Sequence, residues 1–204
     1  MEFPCILEGV ITMQNRKSIL RIVTVGLLAA LVFVSNYLSF PIPVAIGDIT
    51  RIHLGNVFCL LAGFVMGPVG GGLASGIGAA LYDLTNPAYI ASAPFTFLFK
   101  FLLAFVCGLI AHSGKLSGNM LGEHKPSVPR YMIAAILGSL TYIVLYLGKN
   151  FIEALLLGNA VEVAALAQVT RLMTSTANAV IAVVLSVPLS LVLQKALKSA
   201  KLAQ

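Results

Sequence analysis

The chain has 204 residues, of which 59% are hydrophobic and 10% charged, with a mean hydropathy of +0.98. Repeated long apolar runs with so few charges exclude a soluble domain and point to a polytopic, all-α integral membrane protein. The runs are continuous rather than alternating, which argues against a β-barrel. The net charge of +6 is spread over loops and ends, with no basic aromatic stripe for nucleic acid.

In chain order, residues 1–18 read as a polar or irregular cytoplasmic flank ending in Arg16 and Lys17. No small-residue cleavage site follows the next apolar stretch, so a removable signal peptide is not expected; Met13 offers an alternative start. A single membrane domain is expected over residues 19–194, with 195–204 as a basic cytoplasmic tail. Span 1 runs from about Ile19 to Leu38, roughly 30 Å of helix, and carries Gly26, Ala29 and Ala30 as a small-residue patch. Phe40 to Asp48 contains Pro41, Pro43 and Gly47 and is expected to be a non-helical, mostly apolar loop. Such a loop at a membrane surface dips inward or closes as a lid.

The stretch from Arg51 to Leu84 is apolar yet crowded with glycine. Gly63, Gly67 and Gly71 repeat every fourth residue, and Gly72, Gly76 and Ala80 do so on a neighbouring stripe. Each glycine costs a helix in water about 1 kcal/mol relative to alanine, but in lipid small stripes let helix backbones approach closely. Gly67-Pro68 reads as a helix stop and restart, giving spans 2 and 3 at about 50–66 and 69–84. Spans 4, 5 and 6 are expected at about 95–112, 131–157 and 160–193, with a kink at Pro188. Asn159 and Glu162 resemble a capping box.

A six-transmembrane-helix bundle places nine of the 13 Lys and Arg residues on the side that holds both chain ends. By the bias of such residues toward the cytoplasm, both ends are expected there. Merging spans 2 and 3 would put the two basic ends on opposite sides.

The opposite half of the spans collects the polar residues. Tyr142, Tyr146, Lys149, Asn150 and Glu153 share one face of span 5, as do Arg171, Ser175 and Asn178 on span 6. Thr96 and Lys100 on span 4, Asp83 ending span 3, and Arg51 and Asn56 are expected at a similar depth. Ionisable groups there cost about 2.5–3.5 kcal/mol on insertion scales and persist when they face a cavity or a partner. Arg51, Lys100, Lys149 and Arg171 balance Asp48, Asp83, Glu153 and Glu162. A small polar or zwitterionic ligand with a flat ring fits such a balance better than a polyanion. The expected substrate-binding residues are Arg51, Asn56, Asp83, Lys100, Tyr146, Lys149, Asn150, Arg171 and Asn178. His53 reads as an ordinary hydrogen-bonding residue.

Neither a phosphate-binding G-x-x-x-x-G-K-[ST] loop nor a G-x-S-x-G or H-E-x-x-H motif is present. Cys5, Cys59 and Cys107 lack metal-like spacing. Neither cofactor, metal nor catalytic residues are therefore expected, and energy for any transport would come from another protein. A solitary secondary transporter and, behind it, a membrane-embedded enzyme using Asp83, Lys100 or Glu153 are the competing readings.

The apolar Pro/Gly loop after span 1, the six-span plan and the run GFVMGPVGGGLASGIGAALYDL make the chain resemble a substrate-capture (S) subunit of energy-coupling factor (ECF) vitamin importers. The L-x-G-P-x-x-G-like part from Phe64 to Gly72, with the acidic residue that follows, is its most specific element. The resemblance implies a water-soluble vitamin bound near the outer face under the first loop. It implies docking of a shared transmembrane coupling subunit on span 1, where Gly26, Ala29 and Ala30 stand. It also implies two ATPase subunits that drive release by toppling of the S subunit.

Overall fold

A computed structural model describes residues 3–44, 49–116 and 127–199; no side chains are described for residues 3–17, 194, 197 and 198. Among the described residues, five α-helices follow one another: α1 (Phe3–Tyr37), α2 (Gly55–Thr85), α3 (Ala93–Ala111), α4 (Val128–Leu156) and α5 (Val161–Ser199). All five contain a stretch long and apolar enough to cross a membrane; in α1 it is Ser18–Tyr37. Helix α1 begins at Phe3, so residues 3–18 are helical rather than irregular.

The segment after α1 departs from expectation. It is a two-stranded antiparallel hairpin, β1 (Ser39–Pro43) and β2 (Ile49–His53), with Pro41 opposite Arg51. Prolines two residues apart lack donors on the same side of a strand, so β1 can pair on one side only and serves as an edge. Span 2 accordingly starts at Gly55, and Thr50 to His53 belong to the sheet. The residues joining the strands, 45–48 with Asp48 among them, lie outside the described residues.

Gly67 interrupts α2 at φ 72°, ψ −167°, backbone open almost only to glycine. Pro68 then opens the second limb, where its missing N–H costs nothing. The limbs fold back on one another. Ser75 Oγ donates to the Cys59 carbonyl at 3.3 Å, and a methyl placed on Gly71 would lie 2.6 Å from Gly63 Cα. In a straight helix residues 59 and 75 would be about 24 Å apart. Gly63, Gly67 and Gly71 therefore do not form one helix stripe; they line the inside of a bend. Gly72 and Gly76 do form a stripe, and it receives the Phe101 and Phe97 rings of α3.

Helix α3 is clamped from two sides. A methyl on Gly63 of α2 would meet the Ala104 carbonyl at 2.7 Å, and one on Gly138 of α4 would meet the Leu103 carbonyl at 2.7 Å. Gly108 of α3 abuts Gly67 and Pro68, and Gly78 abuts the Ala29 carbonyl of α1. Small residues thus bring backbones into direct contact, the usual device where lipid provides no hydrophobic drive between helices. Val32, Leu60, Phe64, Leu103, Ala104 and Cys107 fill the shared core. Helix α5 stays helical through Pro188. Asn159 turns its side-chain amide back onto the Ala154 carbonyl of α4 at 2.9 Å, so it caps the helix before it.

Candidate functional site

At the end of the bundle carrying the β-hairpin lies a cavity of ≈ 440 Å³, within the size range of small-molecule sites. Strand β2, the second limb of α2, α3, α4 and α5 all contribute to its wall. Of the residues expected to bind substrate, Arg51, Asp83, Lys100, Tyr146, Lys149, Asn150, Arg171 and Asn178 line it. Asn56 stands just behind, accepting a hydrogen bond from Lys100 Nζ through its Oδ1. Glu162 is exposed and is not part of the wall.

Strand β2 is fastened to three helices. Asn178 of α5 accepts from the His53 N–H and donates to the Arg51 carbonyl, each at 2.9 Å. Both groups of one amide are thus spent on the strand's outer edge. Thr50 Oγ1 and the Tyr146 hydroxyl of α4 are 3.3 Å apart. Arg51 reaches the α2 terminus, pairing with Asp83 at 3.1 Å while its guanidinium lies 4.4 Å from the Tyr82 ring centre and 4.3 Å from that of Tyr89. A planar cation between two ring faces, closed by a carboxylate, is held on three sides. Arg51 thus ties the hairpin to the cavity wall, in addition to lining it.

Lys100 and Arg171 are each 2% exposed. The Lys100 ammonium sits 4.1 Å from the Tyr142 ring centre, and Tyr142 stacks on Tyr146 at 5.7 Å. Lys149 pairs with Glu153 one turn along α4 and faces the Phe95 ring. Asn150 donates to the Tyr146 carbonyl at 2.7 Å. The wall therefore combines aromatic side chains (Tyr89, Phe95, Phe99, Tyr142) with amides and cations. Such a site can stack a flat ring and hydrogen-bond its edge.

His53 belongs to the wall and is more than an ordinary polar residue. Its Nδ1 accepts the Gly55 N–H at 3.1 Å, so the neutral ring carries its proton on Nε2. Burial, then the nearby Lys100 and Arg51 charges, hold its imidazole well below the ordinary value. Asn36 near the end of α1 also lines the cavity and packs its amide on Gly55. Its signal in sequence was a lone amide closing an apolar run. Tyr89 and Phe95 sit in or just after the turn between α2 and α3, where sequence gives no face.

The small-residue patch on α1 is divided. Gly26 has nothing within 4 Å of an added methyl, and Ala30 is exposed. Ala29 is buried, its carbonyl against Gly78, so it serves the bundle's own packing rather than an open face.

A membrane bundle that surrounds a capped polar-aromatic cavity defines a protein built to hold a small molecule. The chain matches the family described as "ECF-type riboflavin transporter, S component" over residues 16–195, and it belongs to that family. Transporter S components, not enzymes, make up the family. A solved structure described as "Structure and mechanism of the S component of a bacterial ECF transporter" is similar in fold. It is 21% identical, with a TM-score of 0.57, covering 91% of this chain and 99% of that one. No match was found among curated proteins.

Proposed function

We propose that this chain is the substrate-capture subunit of an ATP-driven ECF-type importer. It binds one flat-ring, water-soluble vitamin at the outer face of the cell membrane, riboflavin being the first ligand to test. The family's name supplies that ligand. The observation that carries the reading is the cavity itself, where stacked Tyr142 and Tyr146 meet buried Lys100 and Arg171 beneath a fastened hairpin.

The two limbs of α2 count as separate crossings in this reading, which gives six. Both ends then lie in the cytoplasm and the cavity opens outward. Gly26 and Ala30 on the open face of α1 receive the transmembrane coupling subunit, and two ATPase subunits supply the energy.

Native mass spectrometry of the purified chain supplied with riboflavin tests capture. A 1:1 adduct, with uptake into vesicles only when the coupling and ATPase subunits are present, is expected. Uptake by the isolated chain without ATP would instead make it a secondary transporter, and chemical turnover of the ligand would make it an enzyme.

A further inference from the structure

The stripe that carries Gly26 and Ala30 does not end with them. Phe33 and Tyr37 follow Gly26 at i+7 and i+11, so all four residues share one face of α1. At its hairpin end this face changes from open to engaged. The Phe33 and Tyr37 rings meet edge to face with centres 5.4 Å apart, and Tyr37 meets Tyr82 of α2 in the same way at 4.8 Å. The Tyr82 ring in turn backs the Arg51 guanidinium of β2, 4.4 Å from its centre. The hydroxyl is spent as well. Thr85 gives its one proton to the Tyr82 carbonyl at 2.7 Å, so its oxygen receives the Tyr37 hydroxyl at 3.0 Å. Tyr37 is therefore bound by both ring and hydroxyl to the last turn of α2, the turn that supplies Asp83 to Arg51. A tyrosine serving only as an interfacial anchor would keep its hydroxyl for water.

We infer that Tyr37 is a positioning residue for Arg51, and that through it the hairpin over the cavity responds to what occupies the open face of α1. Contact with Tyr37 fixes the Tyr82 ring against which the guanidinium lies, and Arg51 holds β2 to the cavity wall. Tyr37 is still 56% exposed, so a partner can reach it. A helix laid along Gly26 and Ala30 meets Tyr37 about 17 Å further along the axis. Displacing the Tyr37 ring would loosen Arg51 without touching it. The tie is reciprocal, since a ligand that fastens the hairpin favours the engaged position of Tyr37. The inference rests on the capture and docking reading and names the residue that joins its two halves.

The test compares wild type with Tyr37→Leu and Tyr37→Phe in the full-length purified chain. Amide exchange of the ligand-free protein needs neither vitamin nor partner. Tyr37→Leu removes the ring contacts and should accelerate exchange at residues 50–53 about 5- to 10-fold, with no change around Gly63 and Leu103. Tyr37→Phe keeps the ring and should change exchange by less than about threefold. Riboflavin should leave Tyr37→Leu faster by a similar factor, with Tyr37→Phe close to wild type. Adding the coupling subunit with its ATPase partners should speed riboflavin release from wild type and leave the Tyr37→Leu rate almost unchanged.

Unchanged exchange at 50–53 in Tyr37→Leu, or equal acceleration around Gly63 and Leu103, would overturn the positioning role. Equal acceleration of release from wild type and Tyr37→Leu by the coupling subunit would overturn the link to the α1 face. Failure of wild type to bind riboflavin would remove the capture reading, while the exchange result would still decide whether Tyr37 holds β2.

Discussion

The two ends of this bundle are built from the same helices by opposite means. Toward the bend at Gly67, backbones touch: Gly63 meets Ala104, Gly108 meets Gly67 and Pro68, Gly138 meets Leu103. Toward the hairpin the helices are kept apart by long side chains, namely Arg51, Lys100, Tyr142, Tyr146 and Arg171, and a cavity opens among them. Apolar close packing needs small residues and tolerates no added volume. The polar end needs large amphipathic residues, each held by a partner so that the hollow does not collapse.

That contrast orders the expected effects of mutation. The largest belongs to the packed end. Gly108→Leu would drive a side chain into the Gly67–Pro68 backbone, which cannot yield as a flexible side chain would. A loss of several kcal/mol, at or beyond the upper end of overpacking costs of about 1–3 kcal/mol, is expected. Thermal unfolding and monodispersity after purification would show it. Gly26→Leu, placed in open space on α1, should leave both unchanged while impairing ATP-dependent uptake; retained uptake would remove the open face of α1 from docking.

Next comes the Arg51–Asp83 pair. Asp83→Ala strands a largely buried guanidinium between two tyrosines, and breaking a buried pair from one side costs about 3–5 kcal/mol. Some relief comes from the Arg51 side chain's 16% exposure. A lowered melting temperature and weaker riboflavin binding are both expected, and a change in neither would show that the pair does not fasten the hairpin.

Asn178→Ala removes two hydrogen bonds to β2, at about 1 kcal/mol each. The fold of the packed end should persist while amide exchange at residues 51–53 accelerates. Exchange rising equally around Gly63 and Leu103 would mean the two ends are not separable.

The smallest effect is the pH response of His53. Its folded value is depressed, so the unfolded chain binds the extra proton first as pH falls below the ordinary 6.5. Stability should be flat above that point and decline below it, and His53→Gln should flatten the decline. Since Nδ1 holds the Gly55 N–H, the decline should be sensed first at β2.

Much of this arrangement was readable from residues alone, for reasons that can be named. The stripes on α4 and α5 were legible because helix periodicity alone puts Tyr146, Lys149 and Asn150, or Arg171 and Asn178, on one face. The break at Gly67-Pro68 was legible because no other pair so firmly ends one helix and starts another. What periodicity does not carry is the path between helices. It reads Phe40–Asp48 as a loop, whereas Phe40 to Pro43 within it form a strand: two prolines argue against a strand, although they suit an edge. The every-fourth spacing of Gly63, Gly67 and Gly71 resembles one helix stripe, but the break at Gly67-Pro68 divides it, and the three glycines line the inside of the bend. Ala29 looked interchangeable with Ala30, and only the position of Gly78 separates them.

Hydrogen exchange of the purified chain with and without riboflavin compares the two ends in a single measurement. Ligand-dependent protection is expected over 49–53, 142–153 and 171–178, around the cavity, and not along the apolar groove between α4 and α5 where Ile136, Ser139, Val180 and Val184 lie. Protection along that groove instead, or none at the hairpin end, would contradict the claim that the polar end of the bundle holds the ligand.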